Sequence, residues 1–160
     1  MSGQLAVVGL GPGDGRWLTQ EAAGALAAAE AVYGYGPYLD RAPVREGQVR
    51  HASDNREEGA RAAAALRHAA QGAKVAIVSS GDPGVFAMAA AVCAEIEAGP
   101  DNWRALDLVI VPGVTAMLAV AARVGAYRLA CHVCHPSVTQ TCASFRRPRG
   151  RTRSRAAPAG

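Results

Sequence analysis

An α/β fold, a mostly parallel sheet with helices on both faces, is predicted by three observations. Short apolar runs that end in glycine turns alternate with Ala-rich stretches from residue 4 to residue 126. The segments between successive apolar runs are long enough to cross back over a sheet as helices. The 160 residues, 50% hydrophobic and 19% charged, have the balance of one globular domain. Only 5% are aromatic, so the core must be built from Ala, Val and Leu, with helices packed closely on small residues.

Gln4 to Leu10 reads as a buried strand that enters the tight loop Gly9-Leu10-Gly11-Pro12-Gly13-Asp14. Thr19 can cap a helix over Glu21 to Ala31, a stretch rich in the strongest helix former. Val32 to Leu39, with three tyrosines among glycines and a proline, predicts a short strand and then a solvated loop. A strand over Gln48 to His51 follows. Asp54-Asn55-Arg56-Glu57 then has the spacing of a capping box, in which each side chain satisfies a backbone donor of the first turn. That helix runs to about Gln71, where Gly72 stops it.

Lys74 to Ser79 is the clearest strand, β-branched and bounded by glycines. The loop Ser79-Ser80-Gly81-Asp82-Pro83-Gly84 leaves it, and a helix over Val85 to Ala98 ends at Gly99-Pro100. Leu106 to Val111 is a strand, Pro112 to Ala116 a turn, and Ala116 to Val124 a helix stopped by Gly125.

Charge divides the chain in two. Residues 1–126 hold 10 basic and all 13 acidic residues, a net of −3, whereas 127–160 hold 7 arginines and no acid, so the pI near 9.2 comes from the tail. Cys93 precedes that boundary; Cys131, Cys134 and Cys142 follow it. Residues 1–126 are read as an N-terminal α/β domain and 127–160 as a basic, disordered tail with too little apolar content to offset its ordering entropy. Leu108 to Ala122, the longest uncharged apolar run, is broken by Pro112 and Gly113 and falls short of the roughly 20 residues of a membrane helix. The N-terminus has no basic region before its apolar run, which predicts a cytoplasmic protein with reduced thiols and no membrane partner.

Three glycine loops at strand ends share one carboxyl edge in a parallel sheet, the edge at which such folds bind ligands. Each loop alone is better read as a tight turn, but three together, one carrying Asp82 between Gly and Pro, favour a binding site. Gly9-x-Gly11-x-x-Asp14 lacks the third glycine of a dinucleotide fingerprint, Pro12 removes an N–H, and Tyr33-Gly34-Tyr35-Gly36 stands where that site needs an acid. No Walker-type Gly-Lys-Ser/Thr occurs.

Val8-Gly9-Leu10-Gly11-Pro12-Gly13-Asp14, Ser79-Ser80-Gly81-Asp82-Pro83-Gly84-Val85-Phe86 and Val111-Pro112-Gly113-Val114-Thr115-Ala116 together resemble the successive signatures of the tetrapyrrole methylases, S-adenosylmethionine-dependent enzymes of cobalamin and sirohaem synthesis. The resemblance covers about residues 4 to 126. Met88-Ala89 and Ala121-Ala122-Arg123-Val124-Gly125-Ala126 resemble the branch that methylates C-17 of precorrin-3B with ring contraction. It implies cofactor contacts from Pro12, Ser80, Gly81, Asp82, Val85, Thr115 and Ala116, and substrate contacts from Gly11, Gly13, Asp14 and Tyr35. Val85 and Ala116 are equally ordinary core residues, and Asp before Pro is also a good turn initiator. The sirohaem-pathway members carry an aspartate after the tyrosine of the second strand; here Gly34 follows Tyr33, so no catalytic base is assigned. S-adenosyl-L-methionine is a sulfonium without phosphate, which suits close backbone approach at glycine rather than a nest of N–H groups.

The implied substrate is a small-molecule tetrapyrrole with acidic arms, which Arg16, Arg41, Arg45 and Arg50 could orient unless they are solvated surface. Tyr35 and Tyr38 face the macrocycle or pack. Nucleic acid is not an expected partner, and a homodimer, usual in that family, is left open. The rival reading is a metal- or haem-binding module: Cys131-His132-Val133-Cys134-His135 matches the Cys-x-x-Cys-His of covalent haem attachment, and Cys131, Cys134, His135 and Cys142 are a conceivable zinc set. The family continues past Gly-Ala into a second α/β domain, whereas Tyr127-Arg128-Leu129 begins an unrelated composition, as a GC-rich coding sequence read out of frame would produce.

Overall fold

The computed structural model describes residues 3–43 and 45–125. The haem-like and zinc-like sets and the arginine run lie outside them. The elements in order are β1 (Gln4–Gly9), a 3-10 turn (Gly15–Trp17), α1 (Gln20–Ala28), β2 (Ala31–Tyr35), α2 (Gly36–Leu39), β3 (Val49–Ser53), α3 (Glu58–Ala69), β4 (Lys74–Ser79), α4 (Met88–Ala98), α5 (Asp101–Arg104), β5 (Asp107–Val111) and α6 (Ala116–Arg123). The five strands form one sheet in the order β3-β2-β4-β1-β5, every pair parallel, as the strand and helix alternation predicts.

The two faces of the sheet are read directly from the period of two. Ala6, Val8, Ala76 and Val78 share a core with Ala22, Leu26 and Ala29 around α1, while Leu5, Val7, Val75 and Ile77 share another with Ala62, Ala65, Leu66 and Ala69 of α3 and Val92 of α4. Successive residues of β1 and β4 therefore serve opposite cores, which is why both strands are apolar at nearly every position. Each buried Leu, Val or Ile contributes about 1.5–3 kcal/mol. Alanines at full burial on α1 and α3 let the helices lie close to the sheet. Among the described residues no helix is long and apolar enough to cross a membrane.

Several boundaries depart from the local reading. α1 stops at Ala28 because Glu30 joins the sheet: its N–H donates to Lys74 O at 2.7 Å and its carbonyl accepts from Val49 N at 3.0 Å. Alanine's helix propensity yields there to ladder bonds. The segment read as a solvated loop is the single-turn α2, with Pro37 in its first turn and Leu39 buried. The capping box forms by half. Asp54 N–H donates to the Glu57 carboxylate at 3.0 Å, but the Asp54 carboxylate accepts from Arg56 N at 3.1 Å, and α3 begins at Glu58. α4 begins at Met88 rather than Val85, since Phe86 has φ 51 and breaks the helix before it.

Candidate functional site

The carboxyl ends of β5, β1 and β4 lie side by side, so the three glycine loops leave the sheet together. Their backbones touch. A Cβ on Gly9 would lie 2.7 Å from Gly81 O and 2.8 Å from Gly113 N, and a Cβ on Gly113 would lie 2.2 Å from Gly81 O. Gly11 and Gly81 form an antiparallel bridge, with N···O distances of 3.2 and 2.9 Å. Both have positive φ, 73° and 64°, which a side chain resists.

Asp82 is the tie between two of the loops. Its Oδ2 accepts from Gly113 N–H at 3.0 Å and its Oδ1 from Gly84 N–H at 2.8 Å. Both are charge-assisted bonds to backbone donors, worth roughly twice neutral ones. The acid thus holds the loop after β4 in its turn and fastens it to the loop after β5. Thr115 caps α6, its Oγ accepting from Leu118 N at 3.1 Å.

A cavity of about 270 Å³ opens between these two loops, lined by Ser80, Gly81, Asp82, Val85, Phe86, Thr115, Ala116 and Met117. Six of those eight are residues named from the sequence as cofactor contacts. Its lining contains an acid and no Lys or Arg, which suits a sulfonium better than a pyrophosphate. Gly81 comes within 3.7–4.0 Å of Thr115, Val114 and Ala116 when given a Cβ, so its bare Cα keeps the space open. Pro12 is half-buried in the neighbouring loop and does not line this cavity.

None of the residues named for substrate lines the cavity. Gly11 is buried in its bridge to Gly81, Gly13 is half-buried, and Asp14 is exposed and caps the 3-10 turn. The backbone N–H of Arg16, and then its guanidinium at 3.2 Å, hold the Asp14 carboxyl below its usual range. Tyr35, at the end of β2, packs edge-on against Tyr38 at 5.2 Å. Of the arginines, Arg50 donates to Leu39 O, Ala42 O and Pro43 O and Arg45 to Ala29 O, so both hold backbone. Arg41 donates to Gly11 O at 3.2 Å and lies over the Tyr38 ring at 5.3 Å.

A second cavity of about 290 Å³ shares Ser80, Val85 and Phe86 with the first and extends to Tyr38, Asn55, Glu58 and Arg61. Reading the sequence passed over Phe86 and Met117 as lining and Arg61 altogether. The signal for Phe86 exists only in three dimensions: an aromatic residue 97% exposed in a left-handed conformation. That backbone costs about 1–2 kcal/mol and the ring buries nothing in return. Phe86→Gly is therefore expected to raise stability by about 1 kcal/mol, read as a higher Tm, and to weaken any ligand that the ring covers. A lowered Tm would show that the ring packs in solution.

The family model of the Tetrapyrrole (Corrin/Porphyrin) Methylases matches residues 4–155. A precorrin-3B C(17)-methyltransferase of Sinorhizobium sp. is 63% identical over 126 residues, 79% of this chain and 50% of that protein. A probable cobalt-factor III C(17)-methyltransferase of Salmonella typhimurium is 38% identical over 143 residues, 84% of this chain and 55% of that one. Among solved structures, the methyltransferase CobJ superposes with a TM-score of 0.73 at 50% identity, over 76% of this chain and 51% of its own. A uroporphyrin-III C-methyl transferase from Thermus thermophilus, complexed with S-adenosyl homocysteine, superposes with a TM-score of 0.56 at 28% identity, over 74% of this chain and 52% of its own. The chain thus spans about half the length of the curated relatives it matches. With the family model covering most of the chain and its three glycine signatures meeting at one sheet edge, the protein belongs to the tetrapyrrole methylases.

Proposed function

We propose that this chain supplies the cofactor-binding half of an S-adenosyl-L-methionine-dependent methyltransferase of cobalamin biosynthesis that acts on a corrin precursor, with precorrin-3B methylated at C-17 and its ring contracted. The observation that carries the reading is the single cavity lined by Ser80, Gly81, Asp82, Val85, Thr115 and Ala116. The relative from Sinorhizobium supports the substrate, and the liganded uroporphyrin-III enzyme supports the cofactor.

When bound, the cofactor supplies a methyl group on a sulfonium, ready for in-line displacement by a nucleophilic carbon. The protein's part is orientation and exclusion of water, which need neither a covalent nucleophile nor a bound metal. Val85, Ala116 and Met117 give the apolar wall, the backbone at Gly81 gives close approach, and Asp82 holds the loops that carry them. The Asp82 carboxylate would also offer negative charge to a cationic ligand in this cavity. No base is assigned, because Gly34 follows Tyr33 and the Tyr33 hydroxyl is committed to His68 Nδ1 at 3.1 Å. Burial raises the Tyr33 pKa, with Arg67 partly offsetting it, so the phenol stays protonated at neutral pH.

Calorimetric titration of the full chain with S-adenosylhomocysteine tests the reading. Saturable binding at a Kd of about 100 µM or tighter is expected. No heat of binding at millimolar ligand would overturn it.

A further inference from the structure

Among the described residues Arg61, on α3, is the one charged side chain that folding buries, at 4% exposure. Its Nε–H donates to Ser53 Oγ at 2.7 Å, one terminal nitrogen donates to Asp54 O at 2.6 Å, and the other reaches only the Met88 thioether at 3.3 Å. A guanidinium has five N–H donors, and sulfur is a weak acceptor. No described carboxylate pairs with it; the ion pairs of the described residues are Arg16 with Asp14 and Arg104 with Asp101. A buried cation with neither a carboxylate partner nor a full set of acceptors costs several kcal/mol, and an apolar side chain of similar volume would be cheaper for folding. Burial lowers its pKa, Glu58, Glu57, Tyr38 and Asp54 partly offset that, and an arginine remains charged regardless.

Arg61 lines the cavity of about 290 Å³ together with Tyr38, Asn55, Ser79 and Ser80, and that cavity shares Ser80, Val85 and Phe86 with the candidate cofactor cavity. Glu58 also lines it but is exposed, so its charge stands at the mouth. We propose that the cavity at Arg61 is a carboxylate-binding subsite, in which the unmatched guanidinium takes an acid group of a molecule lying across both cavities. The acid is either an arm of the tetrapyrrole or the amino-acid end of the cofactor, and the methyltransferase reading enters only in naming these two sources. Arg61 is then a positioning residue: it sets where the ligand lies relative to the loops after β4 and β5.

The experiment uses the full chain and two probes, S-adenosylhomocysteine by calorimetry and uroporphyrin III, a polycarboxylate, by fluorescence. Arg61→Met is expected to weaken one of the two roughly tenfold or more, the loss of a charge-assisted pair, and Arg61→Lys to restore part of it. Glu58→Gln, an exposed change that leaves the core intact, is expected to tighten the same probe about twofold by removing a like charge at the mouth. An effect confined to uroporphyrin assigns the subsite to a substrate arm, and one on S-adenosylhomocysteine assigns it to the cofactor. If the unaltered chain binds S-adenosylhomocysteine and neither variant moves either probe, the subsite is overturned and the cofactor reading stands. If uroporphyrin binds through Arg61 while S-adenosylhomocysteine does not bind, the subsite stands and the cofactor reading falls. A chain that binds neither probe overturns both.

Discussion

Gly113→Ala is expected to destabilise the domain by about 3–5 kcal/mol, enough to leave much of a marginally stable chain unfolded. The added Cβ would sit 2.2 Å from Gly81 O and 3.0 Å from Gly9 Cα, backbone atoms in the loop after β4 and at the end of β1. No rotamer relieves such a contact. Relief requires β5 and its loop to move from β1 and β4, which would break the Asp82 bond to Gly113 N–H and the ladder from Gln4 opposite Asp107 to Val8 opposite Val111. Gly13→Ala is the matched control, because nothing lies within 4 Å of its Cβ and its φ is negative. It is expected to change stability by about 0.5 kcal/mol or less. Urea denaturation followed by circular dichroism reads both, and equal midpoints for the two variants would refute the close packing of the three loops.

Asp82→Ala is expected to abolish S-adenosylhomocysteine binding and to cost about 2–3 kcal/mol of stability. The carboxylate accepts two backbone N–H bonds from two different loops, and alanine leaves the donors on Gly84 and Gly113 without it. Asp82→Asn separates charge from geometry. An amide oxygen can accept from one of the two donors, while its NH₂ meets the other donor head-on. Asn is therefore expected to retain part of the stability while still losing affinity, since the negative charge at the proposed cofactor cavity is gone. S-adenosylmethionine, which carries the positive charge, should lose more than neutral-sulfur S-adenosylhomocysteine. Equal losses for the two ligands would show that Asp82 acts through loop geometry alone.

β4 was legible at both ends and β1 to within one residue, because a parallel strand buried on both faces is apolar at nearly every position and glycines bound Lys74–Ser79. Thr19 reads as a cap and does cap, since a hydroxyl one residue before a helix satisfies a local donor, and Thr115, read only as part of a turn, caps α6 in the same way. The start of α4 was not legible, because Val85 to Ala98 is helical by composition and only the turn around Asp82 and Phe86 delays it to Met88. The end of α1 was not legible either, since Glu30 leaves the helix for ladder partners on β4 and at Val49 that are remote in sequence.

The same division holds for the site. Ser80, Gly81, Asp82, Val85, Thr115 and Ala116 were implied by the resemblance of three loop motifs to the tetrapyrrole methylases, while the residue types alone left Val85 and Ala116 as ordinary core and Asp82 as a turn former. That Gly9 and Gly113 need glycine because of each other and of Gly81 O, that Asp82 fastens one loop to the next, and that Arg61 is buried rather than solvated follow from the strand order β3-β2-β4-β1-β5. Arginine on a helix reads as surface, and its burial depends on Ser53 and Asp54 at the end of β3 and on Met88 of α4. Local propensity and hydrophobic period decide which segments become strands and helices, whereas backbone contact between loops and the desolvation of a charge depend on which strands become neighbours. That neighbourhood is set by long-range packing, and no window of adjacent residues contains it.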